Sequence, residues 1–208
     1  MSILVPPRLA RQLALGTAVT ALLLLVILHI LRPDIPTAQS MVSEYAIGKF
    51  SWIQTLVFLF YAISAGVLAA TLYPGVKTFW GKVGIFFLIP AAGGFFLGGV
   101  YNLEHPLHQL VFYIGAPSMA IASALISFSM ARNPAWTHIR QAVIWTGQLP
   151  WISFGLNMGM FFLAVSPSGE LNPNVPVGWA NRLFWLGSGI WLILMAWHSA
   201  KTSGKKSS

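Results

Sequence analysis

Residues 13–31 read LALGTAVTALLLLVILHIL, an apolar run with no Asp, Glu, Lys or Arg. A helix of this length rises about 28 Å, close to the ~30 Å hydrocarbon core of a bilayer. Five further long apolar stretches follow, at about 51–73, 83–101, 109–131, 139–165 and 181–198, charged only next to an end, at Arg140 and Arg182. None alternates apolar and polar residues as a strand would, and lipid admits only helices or closed barrels. The expected fold is therefore all-α: an integral membrane bundle of six transmembrane helices in a single domain, residues 1–208, ending in a basic tail at 199–208. The first run is longer than the ~7–15 residues of a signal h-region and precedes no convincing small-x-small cleavage site, so it reads as a retained helix.

The flanking charges orient the helices. With loops assigned alternately to the two sides, Asp34, Glu44, Glu104 and Glu170 all fall on one side. Arg8, Arg11, Lys77, Lys82, Arg132, Arg140, Lys201, Lys205 and Lys206 fall on the other, nine of twelve basic residues. Lys and Arg in short loops mark the cytoplasmic side. Both termini are thus expected in the cytoplasm, in a multi-pass protein of the inner or plasma membrane.

Composition agrees. The 208 residues are 56% hydrophobic and 8% charged, against roughly 25% charged in soluble domains. The net charge of +8 is scattered through the loops, which suits anionic headgroups rather than nucleic acid. The lipid bilayer, and other membrane subunits, are the expected partners. Cysteine is absent, excluding disulfides, thiolate metal sites, iron–sulfur clusters and cysteine nucleophiles. Nothing reads as a nucleotide-cofactor motif.

Short loops at Pro74–Lys82 and Arg132–His138 predict antiparallel hairpins of helices 2–3 and 4–5. The longer Arg32–Phe50 loop invites a short interfacial helix near Ala38–Ala46, and Ser166–Ala180 reads as an irregular cap. Trp52, Trp80, Trp136 and Trp179 suit interfacial belts. Gly94/Gly98 and Gly155/Gly159 each form G-x-x-x-G, which lets helix backbones approach. Both are expected to pack within the bundle, with dimerisation as the alternative. Pro90, Pro117 and Pro150 lie inside helices, where each removes a backbone donor.

Polar side chains that could carry chemistry collect at the non-cytoplasmic side. His29, Glu104, His105 and His108 are candidate ligands for a divalent metal such as zinc, which takes imidazole and carboxylate donors and activates water. His108, Glu44 and Ser43 are candidates for acid–base or nucleophilic work. Pro106 suits a first helical position, so helix 4 is expected to start there, with Glu104 or His105 as cap and His108 in its first turn. His29, His108, His138 and His198 split between the two leaflets, as tetrapyrrole ligands would, and Trp145, Trp151, Trp185 and Trp191 lie deep enough to wall such a pocket. Gln54, Gln148 and Asn157 are the deep polar residues. No charge lies mid-span, which argues against an ion-coupled transporter.

LHILRPDIP (28–36) followed by MVSEYAIGKFSWIQTLVF (41–58), LHQLVFYIGAPSMAIASALISFSMARNPAW (107–136) and GWANRLFWLGSGIWLILMAWHSAK (178–201) together resemble the membrane family called domain of unknown function 998. The matching positions are His29, Arg32, Pro33, Ser43, Glu44, Tyr45 and Gly48, then His108, then Asn181 and Arg182. The resemblance implies a six-helix bundle, singles out His108, Glu44 and Tyr45, and brings no reaction. Glu104-His105-Pro106 departs from the family pattern. Three readings stand: a non-enzymatic protein that binds lipid or another apolar ligand or serves a larger complex, a metal-dependent membrane hydrolase, and a haem- or chlorin-binding subunit.

Overall fold

Six long helices run through the computed structural model, which describes residues 7–165, 172 and 174–202. They are α1 (Pro7–Leu31), α2 (Ser51–Leu72), α3 (Phe79–Val100), α4 (His108–Met130), α5 (Arg140–Ala164) and α6 (Val177–Thr202). No β-strand occurs among the described residues. Glu170, Lys205, Lys206 and much of the 166–176 segment lie outside the described residues.

Each helix packs against the next in sequence, and α6 returns to pack on α1, which closes a ring. The expected hairpins α2–α3 and α4–α5 are among these pairs. Both even-to-odd turns, α2–α3 and α4–α5, lie at one end of the ring, and the 32–50 segment, the 101–107 turn and the start of α6 lie at the other, here called the capped end.

Apolar composition does not distinguish one ring partner from another, because lipid is as apolar as leucine; small residues and polar ties must do so. The Gly94–Gly98 motif lies in this contact. A Cβ on Gly94 would come within 2.5 Å of Gly115 Cα on α4, so the α3 and α4 backbones touch there, and a Cβ on Gly98 would meet the Phe58 ring at 3.0 Å. Hydroxyls and an indole tie α2 to α1, α4 to α5, and α6 to α4 and α2. Ser64 Oγ donates to Ala14 O at 2.8 Å, Ser123 Oγ to Gly147 O at 3.0 Å, Trp191 Nε1 to Ser127 Oγ at 2.8 Å and the buried Tyr61 hydroxyl to Trp185 O at 2.6 Å.

Several expectations need correction. Gly155 and Gly159 are exposed, with nothing within 4 Å of a Cβ built on either, so this motif does not pack inside the bundle. Trp136 is buried edge-on against His198, at 4.3 Å between ring centres, and does not join a lipid-facing belt. Trp145 and Trp151 face outward, whereas Trp185 and Trp191 are buried. Helix 4 starts at His108, not Pro106. The Leu107 N–H is captured by His105 Nδ1 at 3.2 Å, and the His108 N–H by His105 O at 2.9 Å. Such local bonds compete with helical ones. The interfacial helix shrinks to a 3-10 turn, Val42–Ala46. The starts of α1, α3 and α6 move outward by four to six residues, while the ends of α2 to α5 each fall one residue short of expectation; α3 starts at Phe79 because the Thr78 hydroxyl accepts the Gly81 N–H at 3.0 Å.

Candidate functional site

Arg182, in the second turn of α6, organises the capped end. Its side chain is buried, at 8% exposure, and the described residues offer it no carboxylate ion pair. Its charge is instead spread over neutral acceptors. Nε donates to His29 Nε2 at 2.6 Å, one terminal nitrogen to Ser40 O at 2.6 Å and Gly178 O at 3.1 Å, and the other to the Tyr45 hydroxyl at 3.2 Å. The guanidinium also lies 5.7 Å from the centre of the Tyr45 ring, within cation–π range.

This arrangement fixes the state of His29. Its Nδ1 lies 2.7 Å from Leu25 O. A carbonyl only accepts, so Nδ1 carries the hydrogen and Nε2 uses its lone pair on Arg182. The ring is neutral, with both nitrogens engaged.

The 32–50 segment is held from both sides. On α6, the Gly178 N–H donates to Ala38 O at 2.7 Å, and Asn181 Oδ1 accepts the Val42 N–H at 2.9 Å. A Cβ on Gly178 would collide with the carbonyl oxygens of Thr37, Ala38 and Ser40, so only glycine lets α6 begin beneath this segment. From the end of α1, Arg32 donates to Ile47 O at 2.8 Å and Lys49 O at 2.9 Å. Those carbonyls flank Gly48 (φ 76°) and precede Phe50 (φ 65°), where the chain turns left-handed to enter α2. Arg32 also pairs with exposed Asp34 at 2.9 Å, and that hydrogen bond holds the Asp34 carboxyl below the usual carboxylate range.

Beneath the segment, inside the ring, lies a cavity of about 130 Å³. Its walls are aromatic and small: Phe58, Phe95, Phe112, Phe184 and Trp185 with Gly94 and Ala116. Trp185 is the hub, with its ring centre 5.0 Å from Phe58, 5.1 Å from Tyr61 and 5.5 Å from Phe95. Ser43, His108, Gln109 and Asn181 supply the polar part of the lining. Leu103 and Tyr113, which also line it, are exposed on the other side and mark its mouth.

The sequence candidates separate into three groups. Ser43 and His108 share the cavity. His108 donates from Nδ1 to Tyr101 O at 2.7 Å, again because a carbonyl only accepts. Glu44 does not join them in a catalytic constellation: its carboxylate accepts the Met41 N–H at 2.7 Å and shapes the 3-10 turn. The proposed metal set is not gathered. His29 is committed to Arg182, His105 is stacked on Tyr101 at 4.2 Å, and Glu104 is exposed. Among the described residues no three His, Asp or Glu side chains are placed to hold a metal ion. At the opposite end His138 and His198 touch at 4.8 Å between ring centres, leaving no gap for a macrocycle between them. Gln54, in the first turn of α2, and Asn157, within α5, are fully buried, and their amides find no hydrogen-bond partner among the described residues.

Sequence reasoning missed the central role of Arg182, together with Ser40 and Gly178. The signal was present in GWANRLFW (178–185): an arginine in an apolar helix must find acceptors within the protein, and a glycine four residues before it marks a close approach.

Four helices, at Arg8–Leu31, Ser51–Gly75, Phe79–Val100 and His108–Met130, are long and apolar enough to cross a membrane by length and composition. With the apolar helices around them, they define the class: a helical, multi-pass membrane protein. The chain belongs to the DUF998 family, described as a protein of unknown function, whose sequence model matches residues 15–198. Neither a curated protein nor a solved structure matches it.

Proposed function

We propose that all six helices cross the cell membrane, with both termini cytoplasmic, and that the protein holds an apolar ligand in the cavity at its capped end. Two features of α5 and α6 support their spanning. Their polar residues Asn157, Asn181, Arg182 and Ser188 are buried, and Trp151, Ile152, Leu163, Leu183 and Leu186 are exposed. Polar inside and apolar outside is the pattern that lipid selects. The charge asymmetry of the loops supports the orientation. The natural absence of cysteine makes the test direct. In intact cells, Glu104→Cys is expected to react with a membrane-impermeant maleimide, and Lys77→Cys only after permeabilisation. Labelling of both from the same side overturns the topology.

The observation that carries the ligand reading is the cavity itself, walled by aromatic rings from five helices. An apolar cavity of roughly 150 Å³ stays dry and takes a benzene-sized molecule. A space of about 130 Å³ therefore suits about six carbons, with the rest of a longer chain leaving past Leu103 and Tyr113 into lipid. Ala116, 3% exposed, lines the wall. Ala116→Phe is expected to fill the space and abolish the lipid that co-purifies with wild type, read by native mass spectrometry of the folded protein. Equal lipid on both proteins removes the cavity as the site.

A further inference from the structure

The polar groups of the cavity specify a headgroup class, an inference that rests on the apolar-ligand reading. We infer that the cavity selects an uncharged, hydroxyl-bearing lipid, whose hydroxyl hydrogen goes to His108 Nε2.

No charged side chain lines the cavity. The nearest fixed cation in sequence, Arg182, is committed to His29, Ser40, Gly178 and Tyr45. The nearest carboxylate, Glu44, is taken by the Met41 N–H. A carboxylate or phosphate headgroup brought here would lose its water and gain no cation, and burying an uncompensated charge is costly. An ammonium would meet the same cost.

The neutral groups differ in what they offer: Ser43 and Gln109 both donate and accept, His108 is left to accept and Asn181 to donate. His108 directs its Nδ1 hydrogen to Tyr101 O, so Nε2 is the nitrogen left to accept from a ligand hydroxyl. Asn181 has its oxygen occupied by the Val42 N–H, which leaves its amide hydrogens to donate. The Ser43 hydroxyl does both. A ligand hydroxyl, which donates once and accepts twice, satisfies His108 and Asn181 together. An ester carbonyl only accepts and leaves His108 unpaired, a loss of the kind that gives polar sites their discrimination.

The test is competitive native mass spectrometry at pH 8, with equimolar 1-dodecanol, methyl dodecanoate and dodecanoate. Wild type is expected to carry 1-dodecanol at least tenfold over either competitor. His108→Phe is expected to erase that preference and keep residual binding of methyl dodecanoate. If this variant does not fold, the wild-type ranking decides alone. Dodecanoate equal to or above 1-dodecanol overturns the headgroup inference and leaves the cavity standing. A dodecanol preference that survives in folded His108→Phe also overturns it. Failure of all three probes on wild type removes the apolar-ligand reading itself.

Discussion

Arg182→Met is expected to lower the thermal midpoint of the detergent-solubilised protein by about 10 °C and to open the 32–50 segment to protease. Methionine keeps much of the apolar stem but removes every donor. Ser40 O, Gly178 O, His29 Nε2 and the Tyr45 hydroxyl each lose a partner. A buried acceptor left unpaired costs about 1–3 kcal/mol, so the sum is about 3–5 kcal/mol after partial relaxation. At roughly 2–4 °C per kcal/mol for a chain of this size, that gives the stated shift. Lysine should rescue little, because a single ammonium cannot reproduce a fork that reaches three directions. Asp34→Asn is the contrast. Its carboxylate also bonds an arginine, but in water, where such pairs contribute little, and the midpoint should hold. An unchanged midpoint and protease pattern in Arg182→Met would show that this arginine does not hold the cap.

The difference between these arginines marks the limit of what can be read from the chain. Six helices were legible because bilayer thickness sets a minimum apolar length, and stretches such as 51–73 and 109–131 come within a residue or two of α2 and α4. Ends were less legible, because caps decide them: the Thr78 hydroxyl starts α3 early, and the His105 imidazole starts α4 late. Site residues were legible by type but less by partner. Ser43 and His108 do share a cavity, and Glu44 accepts the amide three residues before it, as the carboxylate of a capping box does, yet no spacing rule places His29 on a guanidinium 153 positions away. That pairing comes from ring closure between α1 and α6, a contact with no local sequence signature. Arg182 was hidden by the convention that charges at helix ends face water.

Gly94→Leu is expected to destabilise the protein by about 3 kcal/mol, and Gly155→Leu to leave it unchanged or slightly more stable, although both glycines head identical G-x-x-x-G motifs. At Gly94 the obstacles are backbone: Gly115 Cα at 2.5 Å, Gly115 N at 3.1 Å and Val111 O at 3.3 Å. No side chain there can rotate aside, so α3 and α4 must separate, and overpacking of this kind costs about 1–3 kcal/mol or more. Gly94 and Gly115 also line the cavity, so separation should reshape it and reduce ligand retention along with stability. At Gly155 nothing lies within 4 Å. Leucine meets open space there and restores the ~1 kcal/mol of helix propensity that glycine forfeits. The midpoints of the two variants, measured side by side in one detergent, decide the matter. Equal losses would mean that α5 packs through Gly155 against a partner as closely as α3 packs through Gly94 against α4. Equal tolerance would mean that α3 and α4 are not in backbone contact, and the aromatic cavity between them would lose the wall that defines it.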